Sequence, residues 1–426
     1  MSVLKAVRGT RDLMPPETEL WNRIDRTARA VFARYNFGEI RTPIFEDTSL
    51  FARSVGEETD IVSKEMFTWE DRGRAQSERN QSLTLRPENT AGVVRAYIEH
   101  TLGESGQLQK LYYSGPQFRR ERPQKGRFRQ FYQIGAEVIG PPSAGSESPL
   151  RDAEVLEMLA TLLDELGITG WTLHLNSVGS AADRARYNDT LRAALEPVVG
   201  QMCEDCQRRA VTNPLRVLDC KVPADQPIID SLPKISDSLD GDSQAHFAAV
   251  LAALDGAGVP YTRNDRLVRG LDYYTRTTFE FTHGGLGAQN ALLGGGRYDG
   301  LSEALGGPRA PGIGFAMGED RLVLTLLDQN SAQAQRVDAY IAPLGEGLNA
   351  AALALARELR RGGLSIELGD GSFRLKKSFE MADKAARRIV ILGEDELRSG
   401  ILTVKTFATG EQVKVSRAEL GAFLAE

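Results

Sequence analysis

The sequence lacks long apolar stretches and a large excess of positive charge. No run of 18 apolar residues occurs in the 426 residues, and the amino-terminal MSVLKAVRGTRDLMPP has no apolar core of the kind that a signal peptide needs. We therefore expect neither a membrane span nor secretion, and a cytoplasmic protein. The formal net charge of -6 argues against non-specific binding of nucleic acid by the whole surface, so any RNA partner must be held by local basic patches.

Cysteine is scarce as well. The three cysteines are Cys203, Cys206 and Cys220. A small, odd number is typical of reduced thiols rather than of a disulfide framework. Cys203 and Cys206 form a CxxC pair, but a zinc site needs a fourth ligand at comparable spacing, and none is evident nearby. We therefore predict no metal site from these three residues.

Two common nucleotide-binding motifs are absent. The chain contains neither a GxGxxG nor a GxxxxGK[ST] pattern, which disfavours Rossmann and P-loop sites. Glycines are concentrated instead in LGGGRYDG, residues 293–300, and PGIGFAMGEDRLVLTLL follows, which predicts Gly-rich strands and a helix with Arg321 in its first turn. Glycine weakens a strand unless something lies against the bare backbone, so a nucleotide base sandwiched on these strands would fit.

The most informative segment covers residues 112–140. Strand-like runs from Tyr112 to Phe118 and from Phe131 to Val138 flank Arg119 to Arg129, where six of eleven residues are Lys or Arg. This pattern predicts an antiparallel hairpin with a basic loop. Arginine forks and lysine point charges hold polyanions, so the loop could clamp phosphates.

Alternation along the second run separates its two faces. Gln133, Gly135 and Glu137 share one face, so an amide and a carboxylate flank a residue without a side chain. Such a face is either the wet side of a half-buried sheet or the floor of a small-molecule site. The neighbouring basic loop favours the floor of a site.

Helical spacing of apolar residues predicts a helix over residues 17–36 and another from Ser148 and Pro149 to Gly167. Between them, Ser82 to Leu85 predicts a strand, and a helix should follow it to about residue 100. Glu88 either favours the dipole of this helix or, with Thr90, holds an amino group, and both interpretations stay open. Pro43 suggests a sheet edge that a second subunit could cover, so we expect a symmetric dimer.

Three separated stretches resemble the signature motifs of class II aminoacyl-tRNA synthetases: a helix and strand with Pro43, the hairpin with Arg119, and the Gly-rich strand and helix with Arg321. RGLDYY at residues 269–274 and GGGRYDG resemble the histidine-specific motifs of histidyl-tRNA synthetases, and the opening RGTRD agrees. The resemblance implies an α+β fold with an antiparallel sheet flanked by helices. It implies a catalytic core at 1–328, a helical insertion at 176–260 and an anticodon-binding α/β domain at 336–426.

The resemblance also implies how ATP is held. Arg119 and Arg127 would grip its phosphates from the hairpin, and Arg321 would meet the far end of the triphosphate. ATP would be a substrate and Mg²⁺ a cofactor. Arg269 would neutralise the histidine carboxylate and the α-phosphate as the adenylate forms, so Arg269 and Arg119 are the implied catalytic residues.

The implied histidine site comprises Glu88, Thr90, Gln133, Glu137, Arg269, Tyr273, Tyr274 and Tyr298. Glu88, Thr90 and Gln133 would hold the α-amino group. Glu137 and Tyr274 would address the imidazole, which in its neutral form donates at one nitrogen and accepts at the other.

The same resemblance implies a histidine tRNA as partner. Arg122 and Gln124 in the hairpin loop are candidates for the acceptor end. In the last domain, a basic helix around residues 374–388 is either a solvated face or an anticodon contact, carried by Arg374, Lys376, Lys377, Lys384, Arg387 and Arg388. The alternative function is a histidine-sensing regulatory subunit of ATP phosphoribosyltransferase without ligase activity. That alternative is opposed by the ATP-gripping arginines and the carboxyl-terminal domain.

Overall fold

The computed structural model describes residues 3–56, 59, 61–71, 81–124, 126–286, 290–328 and 336–425. The chain divides into two compact units, Met1–Ala332 and Gln333–Glu426, and each is described by itself. Within the described residues, no helix combines the length and the apolar character needed to cross a membrane.

The first unit mixes helices and strands. Its helices are α1 (Glu17–Arg34), α2 (Thr48–Val55), α3 (Thr90–Glu99), α4 (Pro149–Glu165), α5 (Ala181–Leu195), α6 (Glu204–Thr212), α7 (Gln226–Asp230), α8 (Gly241–Ala257), α9 (Leu301–Ala304) and α10 (Glu319–Asp328). Its strands are β1 (Gly38–Glu39), β2 (Phe45–Asp47), β3 (Phe67–Asp71), β4 (Gln81–Leu85), β5 (Gln109–Phe118), β6 (Gln130–Ile139), β7 (Trp171–Ser177), β8 (Thr262–Arg263), β9 (Thr275–His283), β10 (Ala291–Arg297) and β11 (Gly312–Gly318).

An eight-stranded sheet organises this unit. Its strand order is β1-β5-β6-β11-β10-β9-β7-β8, and every pair is antiparallel except the two outermost ones. The predicted hairpin is β5 and β6, each longer than its apolar pattern indicated. A separate three-stranded sheet has the order β2-β4-β3.

The two faces of the large sheet differ as the alternation in β6 predicts. Ile134, Ala136 and Val138 belong to the main hydrophobic core, together with buried residues of α1, α4, α8 and α10. Gln133 and Glu137 therefore point to the opposite face. Covering one face with helices leaves the other face available for the site.

The region around residues 181–257 is built from α5, α6, α7 and α8, joined by short 3₁₀ turns. Residues of α5, α6, α7 and the turns between them share a small hydrophobic core, which includes Tyr187, Leu191, Cys206 and Cys220, whereas α8 packs into the main core. One of the 3₁₀ turns, Pro214–Asp219, becomes important below.

The second unit contains one five-stranded sheet and four helices. They are β12 (Val337–Pro343), α11 (Asn349–Arg361), β13 (Ile366–Leu368), α12 (Leu375–Ala385), β14 (Ala386–Leu392), α13 (Glu394–Ser399), β15 (Ile401–Thr406), β16 (Gln412–Ser416) and α14 (Arg417–Ala425). The order β13-β12-β14-β15-β16 is parallel among the first three strands and antiparallel in the rest.

One helix boundary in this unit was predicted wrongly. The basic helix expected around residues 374–388 ends at Ala385, and Arg387 and Arg388 lie in β14. The ARRIVIL segment ends in β-branched residues that are buried in the sheet, which favours a strand. The two arginines therefore do not extend the basic face of α12.

Candidate active site

A cavity of about 310 Å³ lies against the hairpin, the Gly-rich strands and α10. Its lining includes the four arginines predicted for ATP and the adenylate: Arg119, Arg127, Arg269 and Arg321. Gln133 from β6 also lines it. The structure therefore brings together side chains that are up to 202 residues apart in the sequence.

Each of these arginines has a fixed neighbour. Arg119 Nε donates to the Pro87 carbonyl at 2.9 Å, and its guanidinium lies 5.3 Å from the Phe131 ring centre. Arg127 pairs with Glu121 at 3.1 Å. Arg321 Nη1 donates to the Ala291 carbonyl at 2.5 Å. Burial, and then the Arg127 charge, lower the pKa of Arg321, as expected where positive charges face one another.

Arg269 sits over the bare backbone of a Gly-rich strand. A methyl group on Gly294 would lie 2.7 Å from its guanidinium carbon. Arg269 Nη1 donates to Glu280 Oε2 at 2.6 Å. Burial opposes the charge, but the Glu280 carboxylate offsets it and leaves the pKa of Arg269 raised. Among the described residues, Arg269 Nε is a buried donor with no hydrogen-bond partner.

A second group of polar side chains is buried on the same face of the sheet. Thr90 Oγ1 donates to Glu137 Oε1 at 2.7 Å, and the Tyr298 hydroxyl donates to Glu137 Oε2, also at 2.7 Å. Glu88 accepts the backbone N–H groups of Thr90 and Ala91 at 2.7 and 3.0 Å. Glu88 therefore caps α3, which was one of its two predicted roles.

The two carboxyl groups lie in a setting that disfavours their charge. Burial raises the pKa of Glu137 to about 8, against the opposing effect of the bonds from Tyr298 and Thr90. Burial also raises the pKa of Glu88. Two buried carboxyl groups in one pocket would be relieved by a cation or a strong donor.

Tyrosines enclose this pocket. Tyr273 and Tyr274 have ring centres 4.7 Å apart, and Tyr273 meets the edge of Tyr298 at 6.0 Å. Tyr113, which the sequence analysis missed, is paired with Gly135 across the hairpin, and a methyl group there would lie 2.3 Å from its hydroxyl. The signal for Tyr113 was present, because a glycine directly opposite an aromatic residue leaves space for the ring.

Glycines make room for these side chains. A methyl group on Gly314 would lie 1.6 Å from Glu137 Oε2. A methyl group on Gly312 would lie 2.4 Å from Tyr298, and one on Gly296 would lie 2.8 Å from Tyr274. Gly294 and Gly318 also line the arginine cavity, so the base expected against the Gly-rich strands stays a prediction.

Gln133 links the cavity to the tyrosine-walled pocket. It shares a face of β6 with Glu137, about 13 Å away along an extended strand. Its Oε1 is buried with no partner among the described residues, as a group awaiting a ligand would be. A molecule lying along β6 could therefore reach the arginines and Glu137 together.

The opening RGTRD packs beside this site. Arg11 donates to Asp320 at 2.9 Å and lies 4.8 Å from the Phe128 ring centre, so it connects the hairpin loop with the start of α10. The Gly9 carbonyl accepts the Arg129 N–H at 2.7 Å. The motif thus holds the basic loop in position.

Residues predicted to contact tRNA are accessible. Arg122 and Gln124 are exposed in the hairpin loop, and Lys125, which follows Gln124, lies outside the described residues. In the second unit, exposed side chains in and just before α12 belong to Arg374, Lys376 and Lys377.

Two features were missed in the sequence. Arg216, in the 3₁₀ turn Pro214–Asp219, lines the arginine cavity and donates to the Gly270 carbonyl. Asp225 places a carboxylate oxygen within 4.8 Å of the sulfurs of all three cysteines. The predicted lack of a fourth ligand was therefore wrong, because a tight turn after Cys220 brings Asp225 back.

Known proteins similar to this chain agree on one family. The family model for histidyl-tRNA synthetase matches residues 9–322, and the model for the anticodon binding domain matches residues 338–426. A histidine--tRNA ligase of Koribacter versatilis (strain Ellin345) is 72% identical over 99% of this chain and 96% of its own length. One of Solibacter usitatus (strain Ellin6076) is 56% identical over 99% of both chains. The crystal structure of apo S. aureus histidyl-tRNA synthetase is 37% identical, covers 100% of both chains and has a TM-score of 0.80.

These similarities confirm the predicted α+β fold and the predicted family. They do not favour the regulatory-subunit alternative, because the anticodon-binding match covers the carboxyl-terminal unit and the relatives that match the whole chain are named as ligases. The chain belongs to the histidyl-tRNA synthetase family.

Proposed function

We propose that this chain, as a histidine–tRNA ligase, activates L-histidine with ATP and transfers it to the 3′ end of histidine tRNA. The first step releases pyrophosphate, and the second releases AMP. The observation that carries the proposal is the continuity along β6 between an arginine-lined cavity and a buried carboxyl pocket. A polyanion and an amino acid could meet there.

Histidine would lie with its imidazole at Glu137. One ring N–H would donate to the Glu137 carboxyl, and the Tyr274 hydroxyl would donate to the other ring nitrogen. Tyr298 and Thr90 hold the carboxyl in place, with bonds of 2.7 Å each. Tyr273 closes the aromatic wall. Because this pocket pairs both ring nitrogens, it rejects amino acids that leave its polar groups unpaired.

The α-amino group of histidine would lie nearer the cavity. Glu88 uses two lone pairs to cap α3 and keeps others for an ammonium. Thr90 adds a hydroxyl oxygen, and Gln133 adds a buried carbonyl oxygen that needs a donor. These oxygens are of the right kind to hold a positively charged amine.

ATP would occupy the arginine cavity. Arg119 and Arg127 would hold phosphates from the hairpin, and Arg321 would bind the far end of the triphosphate. Mg²⁺, if it enters with ATP, would supply further positive charge beside these arginines as pyrophosphate departs. The neighbours that already hold Arg119 and Arg321 fix those two guanidiniums before ATP arrives.

Arg269 would act between the two substrates. The histidine carboxylate attacks the α-phosphorus, so two anions must approach and charge then builds on the five-coordinate centre. Glu280 accepts from Nη1 and so orients the guanidinium, while Nε is a donor without a partner among the described residues. Arg269 and Arg119 are therefore the residues we assign to stabilising adenylate formation.

Transfer requires the tRNA to reach this site. We assign residues 1–328 to the catalytic core, residues 176–260 to an insertion and residues 336–426 to an anticodon-binding domain. Arg122 and Gln124 would approach the acceptor end. Arg374, Lys376 and Lys377 would contact the anticodon stem-loop, whose phosphates they can neutralise.

A homodimer working in the cytoplasm is part of the proposal. Ile44, Phe45 and Trp69 are 44%, 52% and 40% exposed, and they lie in or beside the small sheet β2-β4-β3. Exposed aromatic residues at a sheet edge suit a subunit interface. Sedimentation equilibrium of Phe45→Glu against the parent chain tests this: a persistent dimer in the variant would exclude that edge from the interface.

The decisive experiment is exchange of labelled pyrophosphate into ATP without tRNA. Exchange should depend on histidine, require Mg²⁺ and fail with the other amino acids. Arg119→Gln should abolish most of it, whereas Arg120→Gln, the exposed neighbour outside the cavity lining, should keep it. Histidine binding without exchange under any Mg²⁺ condition would instead support a histidine sensor.

A further inference from the structure

The three cysteines and Asp225 form a compact group of metal-ligand atoms at the small core that α5, α6 and α7 share. Their sulfurs and one carboxylate oxygen lie within 4.8 Å of one another. Cys206, Cys220 and Asp225 are buried, and Cys203 is half-buried. The group lies outside the substrate cavity, so the proposed ligase mechanism gives it no task.

The spacing of the donor atoms fits a tetrahedral ion. Cys203 Sγ and Cys220 Sγ lie 3.9 Å apart, and Cys220 Sγ lies 3.3 Å from Asp225 Oδ2. Zinc bound at about 2.3 Å to sulfur and 2.0–2.2 Å to oxygen sets these edges at about 3.8 and 3.6 Å. The observed distances differ from these by only a few tenths of an ångström.

Backbone groups around the cluster support thiolates and an oriented carboxylate. The Val222 N–H donates to Cys220 Sγ at 3.4 Å. The Cys203 N–H donates to both Asp225 oxygens at 3.2 Å, so the carboxylate has a second support besides the sulfurs. Ligands of protein metal sites are commonly oriented by such bonds. Cys203 occupies the N-cap position of α6 and Cys206 lies in the first turn of that helix, so the two sulfurs of the CxxC pair are held close together.

We propose that Cys203, Cys206, Cys220 and Asp225 bind one zinc ion that holds the insertion together. Three soft thiolates favour zinc over magnesium or calcium, and four protein ligands leave no open position for a substrate. Binding displaces the thiol protons into solvent and involves no change of oxidation state. The site is therefore structural.

A structural ion suits this part of the chain. The ligands tie the start of α6, the end of the 3₁₀ turn Pro214–Asp219 and the start of α7. These short elements share only a small hydrophobic core, and a metal can supply the stability that such a core lacks. The same 3₁₀ turn carries Arg216 to the substrate cavity, so the ion also fixes the segment that carries this arginine.

The test measures metal in the untagged full-length chain, purified under reducing conditions. Mass spectrometry of the elements should find about one zinc per chain, released when a mercurial reagent titrates the thiols. Replacement by Co²⁺ should produce the charge-transfer absorption of cobalt thiolates and the visible bands of a tetrahedral site. A chain without metal that takes up neither Zn²⁺ nor Co²⁺ overturns the proposal. So does a Cys203–Cys220 disulfide in freshly purified protein.

Variants identify the ligands. Cys206→Ser should lose the metal. Asp225→Asn should weaken zinc binding at least about 10-fold, since mutating a group that only orients a metal ligand already lowers metal affinity by that factor. Asp205→Asn is the matched control, because this exposed carboxylate lies in α6 and pairs with Arg208 at 2.7 Å. Zinc affinity of Asp225→Asn equal to that of the control would remove Asp225 from the site. The metal content of the parent chain tests the proposal by itself, so the test does not depend on whether a cysteine variant folds.

Discussion

Replacing Glu137 with glutamine should stabilise the fold by an amount that grows with pH. Burial raises the pKa of Glu137 from an ordinary 4.5 to about 8, so the folded protein keeps this proton over a range where the unfolded chain has lost it. Stability contributed by this group is therefore fully present below pH 4.5 and is lost as pH rises to 8. Glutamine does not titrate, so the variant does not lose this stability between pH 4.5 and pH 8.

The size of the effect follows from the difference between the two pKa values. At about 1.4 kcal/mol per unit, the penalty is roughly 3 kcal/mol at pH 7 and about 5 kcal/mol above pH 8. Glutamine presents a carbonyl acceptor and an NH₂ donor group where the protonated carboxyl presents a carbonyl acceptor and an O–H donor. The hydroxyls of Thr90 and Tyr298 can each donate or accept, so they can bond to it too.

Urea unfolding at several pH values measures the difference in free energy of unfolding between Glu137→Gln and the parent chain. All three tryptophans lie in the first unit, so their fluorescence reports on the unit that contains Glu137. The variant and the parent should have similar stability near pH 4.5 and diverge towards pH 8. The exposed Glu104→Gln is the control for a surface charge. A gap that is equal at low and high pH would refute the reasoning. Calorimetry near pH 7 should also show histidine affinity lower by up to roughly 10-fold, the scale of one lost hydrogen bond between neutral groups.

Three further substitutions test other parts of the site. Arg269→His should slow adenylate formation at least about 10²-fold in single-turnover assays, because the site loses a preorganised charge. Histidine binding should stay nearly intact, and unchanged adenylation would remove Arg269 from the mechanism. Gly314→Ala should abolish most histidine binding by calorimetry, since its methyl group would displace the carboxylate 1.6 Å away, whereas Gly38→Ala, with open space around it, should not. Arg216→Ala should raise the KM for ATP roughly 10-fold in pyrophosphate exchange, and an unchanged KM would mean that this arginine only holds the Gly270 backbone.

Features that depend only on neighbouring residues in the sequence were predicted correctly. Alternation along β6 was enough to place Gln133 and Glu137 on one face, because a strand reverses its side chains at every residue whatever packs around it. The start of α4 at Ser148 was predictable too, because a serine directly before a helix can accept a backbone N–H of the first turn. Its hydroxyl accepts the Leu150 N–H. Such features depend on neighbours within a few residues.

Unlike Tyr113, two of the missed features, Arg216 and Asp225, depend on packing that no local pattern shows. Arg216 reaches the cavity only because its 3₁₀ turn contacts the Gly270 carbonyl, 54 residues away in the sequence. Asp225 follows Cys220 by five residues, a spacing that matches no common zinc motif, and it becomes a candidate ligand only when the 3₁₀ turn Pro223–Asp225 folds back. Neither contact has a periodic signal, so composition and spacing could not show them.

The Gly-rich strands show how a correct pattern can support an incomplete interpretation. Glycine in β10 and β11 does mark a close approach, as expected, but the approaching groups are Arg269, Tyr274, Tyr298 and Glu137 themselves. At Gly296, Gly312 and Gly314 the space next to the strand therefore seats the residues that we propose bind histidine, while Gly294 and Gly318 also line the open cavity. It follows that an alanine scan of these glycines should impair substrate binding in proportion to the displacement of the facing side chain. The largest loss is expected beneath Glu137, where the space is smallest.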